Sequence, residues 1–125
     1  MKAVLFGSIG TLVETSEIQR KSYNLAFKKA GLSWYWNIGT YCSLISEPGG
    51  LKRIQKFSGN SLNQDELSNI HSLKESFFEE QIREGLNLRP SVKELINDSM
   101  KKNLKLGLIT TTSLKNIDAI FNGIK

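Results

Sequence analysis

The sequence is poor in the residues that build covalent staples and metal cages. It has one cysteine, Cys42, one histidine, His71, and two prolines, Pro48 and Pro90, in 125 residues. A single cysteine forms no internal disulfide and no zinc site, which points to a reducing compartment. Cys42 does not read as a nucleophile either. Only His71 could serve as its base, and nothing in the sequence brings the two together, so Cys42 reads as a half-buried helical residue. Long hydrophobic runs are also missing. The opening Lys2-Ala3-Val4-Leu5-Phe6 stops at Gly7. That is too short for the core of a signal peptide or for a membrane span, so the expected location is the cytosol.

Acidic residues are the scarcer charge, 12 against 17 Lys and Arg, for a net charge of +5. A basic balance can attract nucleic acid or anionic lipid. Here the cations are spread along the chain, and the densest spots, Lys28-Lys29 and Lys101-Lys102, hold only two each. No aromatic-basic interleaving suggests a base-stacking platform. Neither nucleic acid nor a membrane is expected as a partner. The hydrophobic content of 39% is ordinary for one small folded domain and argues against disorder.

Ala3 to Phe6 reads as a strand buried on both faces, followed by a tight Gly7-Ser8-Ile9-Gly10-Thr11 loop. Ser16 and Gln19 have capping-box spacing and open a helix that carries Ile18, Leu25, Ala26 and Phe27 and stops at Gly31. An aromatic connector leads to a helix over 38–45. Pro48-Gly49-Gly50 breaks it, and a short helix over 51–57 follows. Ser61 and Gln64 repeat the capping-box spacing before a long helix to about Glu84, with Leu67, Ile70, Leu73, Phe77 and Ile82 as its apolar face. Pro90 and Ser91 open the next helix, with Glu94 at the capping-box position and Val92, Leu95, Ile96 and Met100 on its apolar side. Leu104 to Ile109 reads as a second strand, Thr110 to Ser113 as a hydroxyl-rich turn, and Leu114, Ile117, Ile120 and Phe121 mark a last helix. The two strands fit a right-handed βαβ crossover with a helical insertion after the first.

Five stretches of this chain resemble the haloacid-dehalogenase superfamily, in particular its CbbY-type, β-phosphoglucomutase-like branch. They are Met1–Thr15 with its Gly10-Thr11-Leu12, Arg20–Phe27 with Gly31-Leu32-Ser33-Trp34-Tyr35-Trp36, Tyr41 to Gly49-Gly50 with Arg53-Ile54, Leu88-Arg89-Pro90-Ser91-Val92, and Leu106–Ser113. The resemblance implies an α/β fold: a partial Rossmann-like core of parallel strands formed by 1–13 and 88–125, with a helical cap, 14–87, inserted after the first strand. It also implies a magnesium-dependent phosphatase acting on sugar phosphates such as xylulose-1,5-bisphosphate.

That chemistry needs a carboxylate nucleophile, a second carboxyl as acid and base, and magnesium to neutralise charge. The family takes both carboxyls from an Asp-x-Asp loop. Here Gly7 and Ile9 stand at those positions, so no catalytic residue, no metal ligand and no cofactor is expected. Ser8 between them has no general base nearby in sequence. Ser16 and Gln19 replace a Glu and a His of the branch, and Leu51 replaces a Lys. The resemblance leaves Tyr41, Gly49, Gly50 and Arg53 as candidate substrate contacts and Thr110 and Thr111 as candidate phosphate contacts, the latter at a helix start that suits an anion. For each of these, helix packing or capping is the alternative role.

The family's lysine motif and acidic pair have no counterpart up to Lys125, and a two-strand core would leave an open edge and an uncovered apolar face. Self-association, or a partner chain covering that face, is therefore expected. Three functions fit: a catalytically inactive family member that retains anion or sugar-phosphate binding, a hydrolase fragment needing its second half, or a small helical interaction module.

Overall fold

A computed structural model describes residues 2–124. Its elements run in the order β1 (Ala3–Phe6), α1 (Ser16–Lys29), α2 (Ile38–Leu44), α3 (Gly50–Ser58), α4 (Gln64–Ile82), α5 (Val92–Lys101), β2 (Lys105–Leu108) and α6 (Leu114–Gly123). β1 and β2 pair in parallel, with Ala3 opposite Lys105 and Phe6 opposite Leu108. Four helices thus lie between β1 and the returning α5-β2-α6 segment, the α/β arrangement expected. No helix among the described residues is long and apolar enough to cross a membrane.

Two hydrophobic clusters organise the chain. One gathers Phe6, Leu12, Val13, Phe78, Ile82, Leu86, Val92, Ala119 and Ile120 beneath the sheet. The other gathers Tyr23, Ala26, Phe27, Trp36, Tyr41, Ile54, Leu67 and Ile70 among α1 to α4. The second is aromatic: Trp36 lies 4.7 Å from Tyr23 and 4.8 Å from Phe27 between ring centroids. Asn24 clamps the connector, donating to the Trp36 carbonyl and accepting its N–H at 2.8 Å. α4 contributes to both clusters, Leu67 and Ile70 to one, Phe78 and Ile82 to the other.

The elements form where periodicity predicts them, but several details differ. β1 is not buried on both faces. Leu5 is 62% exposed, and Leu106, Ile109, Leu114 and Phe121 are exposed as well. A strand with one neighbour and helices on one side has nothing to cover its other side. The Ser16–Gln19 capping box does not form. Thr15 is the N-cap and makes no side-chain cap bond. Glu14 instead accepts the Ser16 N–H at 2.8 Å. On α1, Tyr23 is buried and Leu25 is exposed, because the buried face runs through Gln19, Tyr23, Ala26 and Phe27.

The second capping box is real but shifted. Asn63, not Ser61, is the N-cap, and Glu66 closes the box. On α4 the deepest stripe is Leu67, Ile70, Lys74, Phe78 and Ile82. Leu73 and Phe77, expected on it, lie at its half-buried edge. The whole stripe is spent on intramolecular packing, which removes the motive for a free interaction face on this helix. Ser91 caps α5 with φ at 67° and no side-chain bond, so the Glu94 capping box is absent, and Leu95 and Met100 are exposed. Cys42 is helical but exposed.

Replacing Asn63 with Ala should lower unfolding free energy by about 1 kcal/mol, whereas Ser61→Ala should stay within about 0.5 kcal/mol of wild type. Urea melts of the two variants check this. Equal effects would return the cap to Ser61.

Candidate functional site

Between the two clusters lies an open cleft of about 870 Å³. The sheet side contributes Ile9, Gly10, Glu14, Thr111, Thr112, Ser113 and Asn116 to its wall, and the helical side contributes Gln19, Tyr23, Tyr41, Gly49 to Arg53, His71 and Lys74. The β1–α1 loop is held by the Ser8 carbonyl, which accepts the N–H groups of Thr11, Leu12 and Val13. Arg89 secures it from the returning segment, its backbone N–H bonding Leu12 and its side chain bonding the Gly10 carbonyl.

The candidate residues fall into distinct roles. Gly7 ends β1, and Ile9 lines the cleft. Ser8 is buried, and its hydroxyl lies 2.8 Å from that of Thr110. No titratable base contacts it among the described residues. Thr111 lines the cleft; Thr110 does not, since its hydroxyl is shared between Ser8 and the Thr112 N–H. The helix that follows is capped by Ser113, which accepts the Asn116 N–H at 3.2 Å.

Tyr41, Gly49, Gly50 and Arg53 all reach the cleft. Gly49 has φ at 103°, a conformation that favours glycine. A Cβ on Gly50 would stand 2.6 Å from the Tyr23 hydroxyl and 3.0 Å from His71 Nε2, so this position tolerates no side chain as it stands. The Arg53 guanidinium donates to the carbonyls of Leu44 and Glu47 and to the Tyr23 hydroxyl. It ties α1, α2 and α3 together, and no carboxylate pairs with its charge among the described residues. Burial pushes the Tyr41 hydroxyl further above its ordinary value.

Sequence reasoning missed Lys74. It is 3% exposed, with its ammonium 5.0 Å from the Tyr23 ring centroid and 5.4 Å from that of Phe78. No ion pair or hydrogen bond is made by its ammonium among the described residues. Desolvation pulls its pKa down to about 8, with Glu75 opposing and Arg53 adding to the fall. The signal was present in the spacing: 67, 70, 74, 78 and 82 trace one helical face, and a lysine in that series is buried. His71 and Asn116 were missed as well. Burial pushes the His71 pKa down, against the pull of Glu75. Asn116 is buried, donates to the Thr112 hydroxyl, and leaves its Oδ1 without a partner. Ser113 also donates to Glu75 at 2.8 Å, bridging α6 and α4 across the cleft.

The site does not fit a magnesium ion. A hard divalent cation takes carboxylate, carbonyl and water oxygens. Gly7 and Ile9 offer no side-chain oxygen, and Glu14, the one carboxylate among the lining residues, is engaged by the Ser16 N–H. No three His, Cys, Asp or Glu side chains converge among the described residues.

Residues 4–125 match the haloacid dehalogenase-like hydrolase family model. Protein CbbY of Rhodobacter capsulatus is 35% identical over 96% of this chain and 55% of its own length. That of Cereibacter sphaeroides is 33% identical over 96% and 54%. The chain therefore spans about half the length of the curated relatives it matches. Among solved structures, a mutant CbbY from Rhodobacter sphaeroides in complex with xylulose-(1,5)bisphosphate superposes with a TM-score of 0.91 at 32% identity, over 99% of this chain and 57% of that one. β-Phosphoglucomutase from Clostridium difficile shares the fold, with a TM-score of 0.80 at 20% identity over 100% and 58%.

Exchanging Lys74 for Met should stabilise the folded chain at pH 7. A fall in pKa from 10.5 to about 8 corresponds to on the order of 3 kcal/mol. The unfolded amine keeps its proton to higher pH than the folded one, so the penalty is whole below pH 8 and disappears as pH rises through the window to 10.5. Thermal melts should show the variant's advantage shrinking across that window. An advantage that does not change with pH would mean the ammonium is not buried uncompensated.

Proposed function

The chain belongs to the haloacid dehalogenase-like hydrolase family, and from that premise we propose that it is a member without phosphatase activity that retains an anion site for a phosphate-bearing, hydroxylated ligand. The proposal takes 1–13 and 88–125 as the partial core and 14–87 as the cap, with the cleft between them as the site.

Support comes from a contrast within that cleft. At the β1 end, Gly7 cannot be phosphorylated and Ile9 cannot move a proton. Ser8 lacks a base and already shares its hydroxyl with Thr110. Along the same cleft, an ammonium is buried with no ion pair or hydrogen bond among the described residues, a costly arrangement that an arriving anion relieves. Thr111, Thr112 and Ser113, which lead into α6, line the same cleft. The CbbY complex with xylulose-(1,5)bisphosphate makes a sugar phosphate the first class to try.

A second reading is favoured by the exposed apolar side chains of the sheet region and α6, Leu5, Ile109, Leu114 and Phe121. There the chain supplies one half of a hydrolase, and further sequence or a partner chain supplies the remaining strands together with a nucleophile.

Incubation with magnesium and a panel of sugar phosphates should release no more phosphate than the Ser8→Ala variant does. Turnover that disappears in Ser8→Ala would overturn the inactive assignment. Turnover appearing only after the second half of a CbbY protein is added would favour the divided hydrolase.

A further inference from the structure

Glu75 sits where an acidic side chain works against an anion. It lies on α4, with its side chain only 12% exposed. Ser113, the N-cap of α6, donates its hydroxyl proton to Glu75 Oε1 at 2.8 Å while accepting the Asn116 N–H. The other α4 side chains that hydrogen-bond, Glu66 and Gln81, bond Asn63, Ser22 and Phe77 instead.

We infer that Glu75 is a built-in competitor of the cleft's anion: its carboxylate takes the Ser113 hydroxyl at the amino end of α6 and opposes the approach of a second negative charge to that wall. The inference rests on the anion-binding reading above and adds to it a brake on affinity.

Three observations carry it. First, the amino end of a helix favours one negative charge, and the Glu75 carboxylate is already bonded to the residue that caps it. Second, that charge is not cancelled. No lysine or arginine pairs with Glu75 among the described residues, and its one ionisable neighbour within pairing distance is His71, at 3.8 Å. Burial holds the His71 pKa down, so the imidazole is neutral at pH 7. Third, the carboxylate stands directly behind the cleft wall. Its partner Ser113 and its neighbours His71 and Lys74 all line the cleft. An anion arriving there meets a hydroxyl whose proton is already given away, and behind it a negative charge that solvent screens poorly.

The experiment is titration of the full chain with inorganic sulfate, a dianion throughout the neutral range, followed by calorimetry at pH 7. Glu75→Gln keeps the shape of the side chain and removes its charge. It should bind sulfate at least about fivefold more tightly than wild type, the effect of deleting one poorly screened like charge. The same variant should melt a few degrees lower without sulfate, because α6 loses a favourable charge at its amino end. Circular dichroism confirms that it is folded. Glu79→Gln makes the same change in net charge at a side chain 42% exposed and should stay within about twofold of wild type. Unchanged or weaker binding by Glu75→Gln would overturn the inference and leave Glu75 as a helix cap alone. Equal gains in both variants would also overturn it, since overall charge would then account for the effect. Absence of binding in wild type and both variants would overturn the anion site itself, and this inference with it.

Discussion

Helix α4 is the member on which the rest of the structure depends. It runs unbroken from the Asn63 capping box to Ile82, burying Leu67 and Ile70 in the aromatic cluster and Phe78 and Ile82 under the sheet. Because one rigid rod serves both clusters, the spacing between them is set by helical rise rather than by loops. Lys74 sits on its buried face between the two sets of apolar anchors. A lysine there is held by the packing on either side of it, its ammonium over the rings of Tyr23 and Phe78.

The cleft's two walls are fixed by different means. On the helical side, Arg53 and the close approach of Gly50 to Tyr23 and His71 bind α1, α3 and α4 into one surface. On the sheet side, the β1–α1 loop is held by its own Ser8 carbonyl and by Arg89 from the returning segment. Tyr41, Gly49, Gly50 and Arg53 thus shape the site whether or not they touch a ligand, which is why helix packing and ligand contact were hard to separate for them.

The order and type of elements were legible in the sequence because apolar spacing and glycine breaks are local signals. What escaped was set by partners far along the chain. Ser61 and Asn63 both have a glutamine or glutamate three residues on, and only the start of the helix decides between them. Leu5 reads as a core residue until one sees that β1 has a single neighbour. Lys74 escaped because a charge in an amphipathic helix is taken as surface, although its spacing from Leu67, Ile70 and Phe78 says otherwise. The missing carboxylates at Gly7 and Ile9 were legible only through family resemblance; alone, Gly7 to Thr11 is a turn after a strand.

The parallel pairing of Ala3 with Lys105 joins segments far apart in the sequence. Closing so long a loop carries an entropic cost that only the finished sheet repays, whereas the aromatic cluster draws on residues from 23 to 77 and closes shorter loops. The helical part can therefore assemble while β1 and β2 are still apart, and the sheet joins last. Until it does, the cleft has only its helical wall. A ligand that touches both walls therefore meets a complete site only once the sheet has formed.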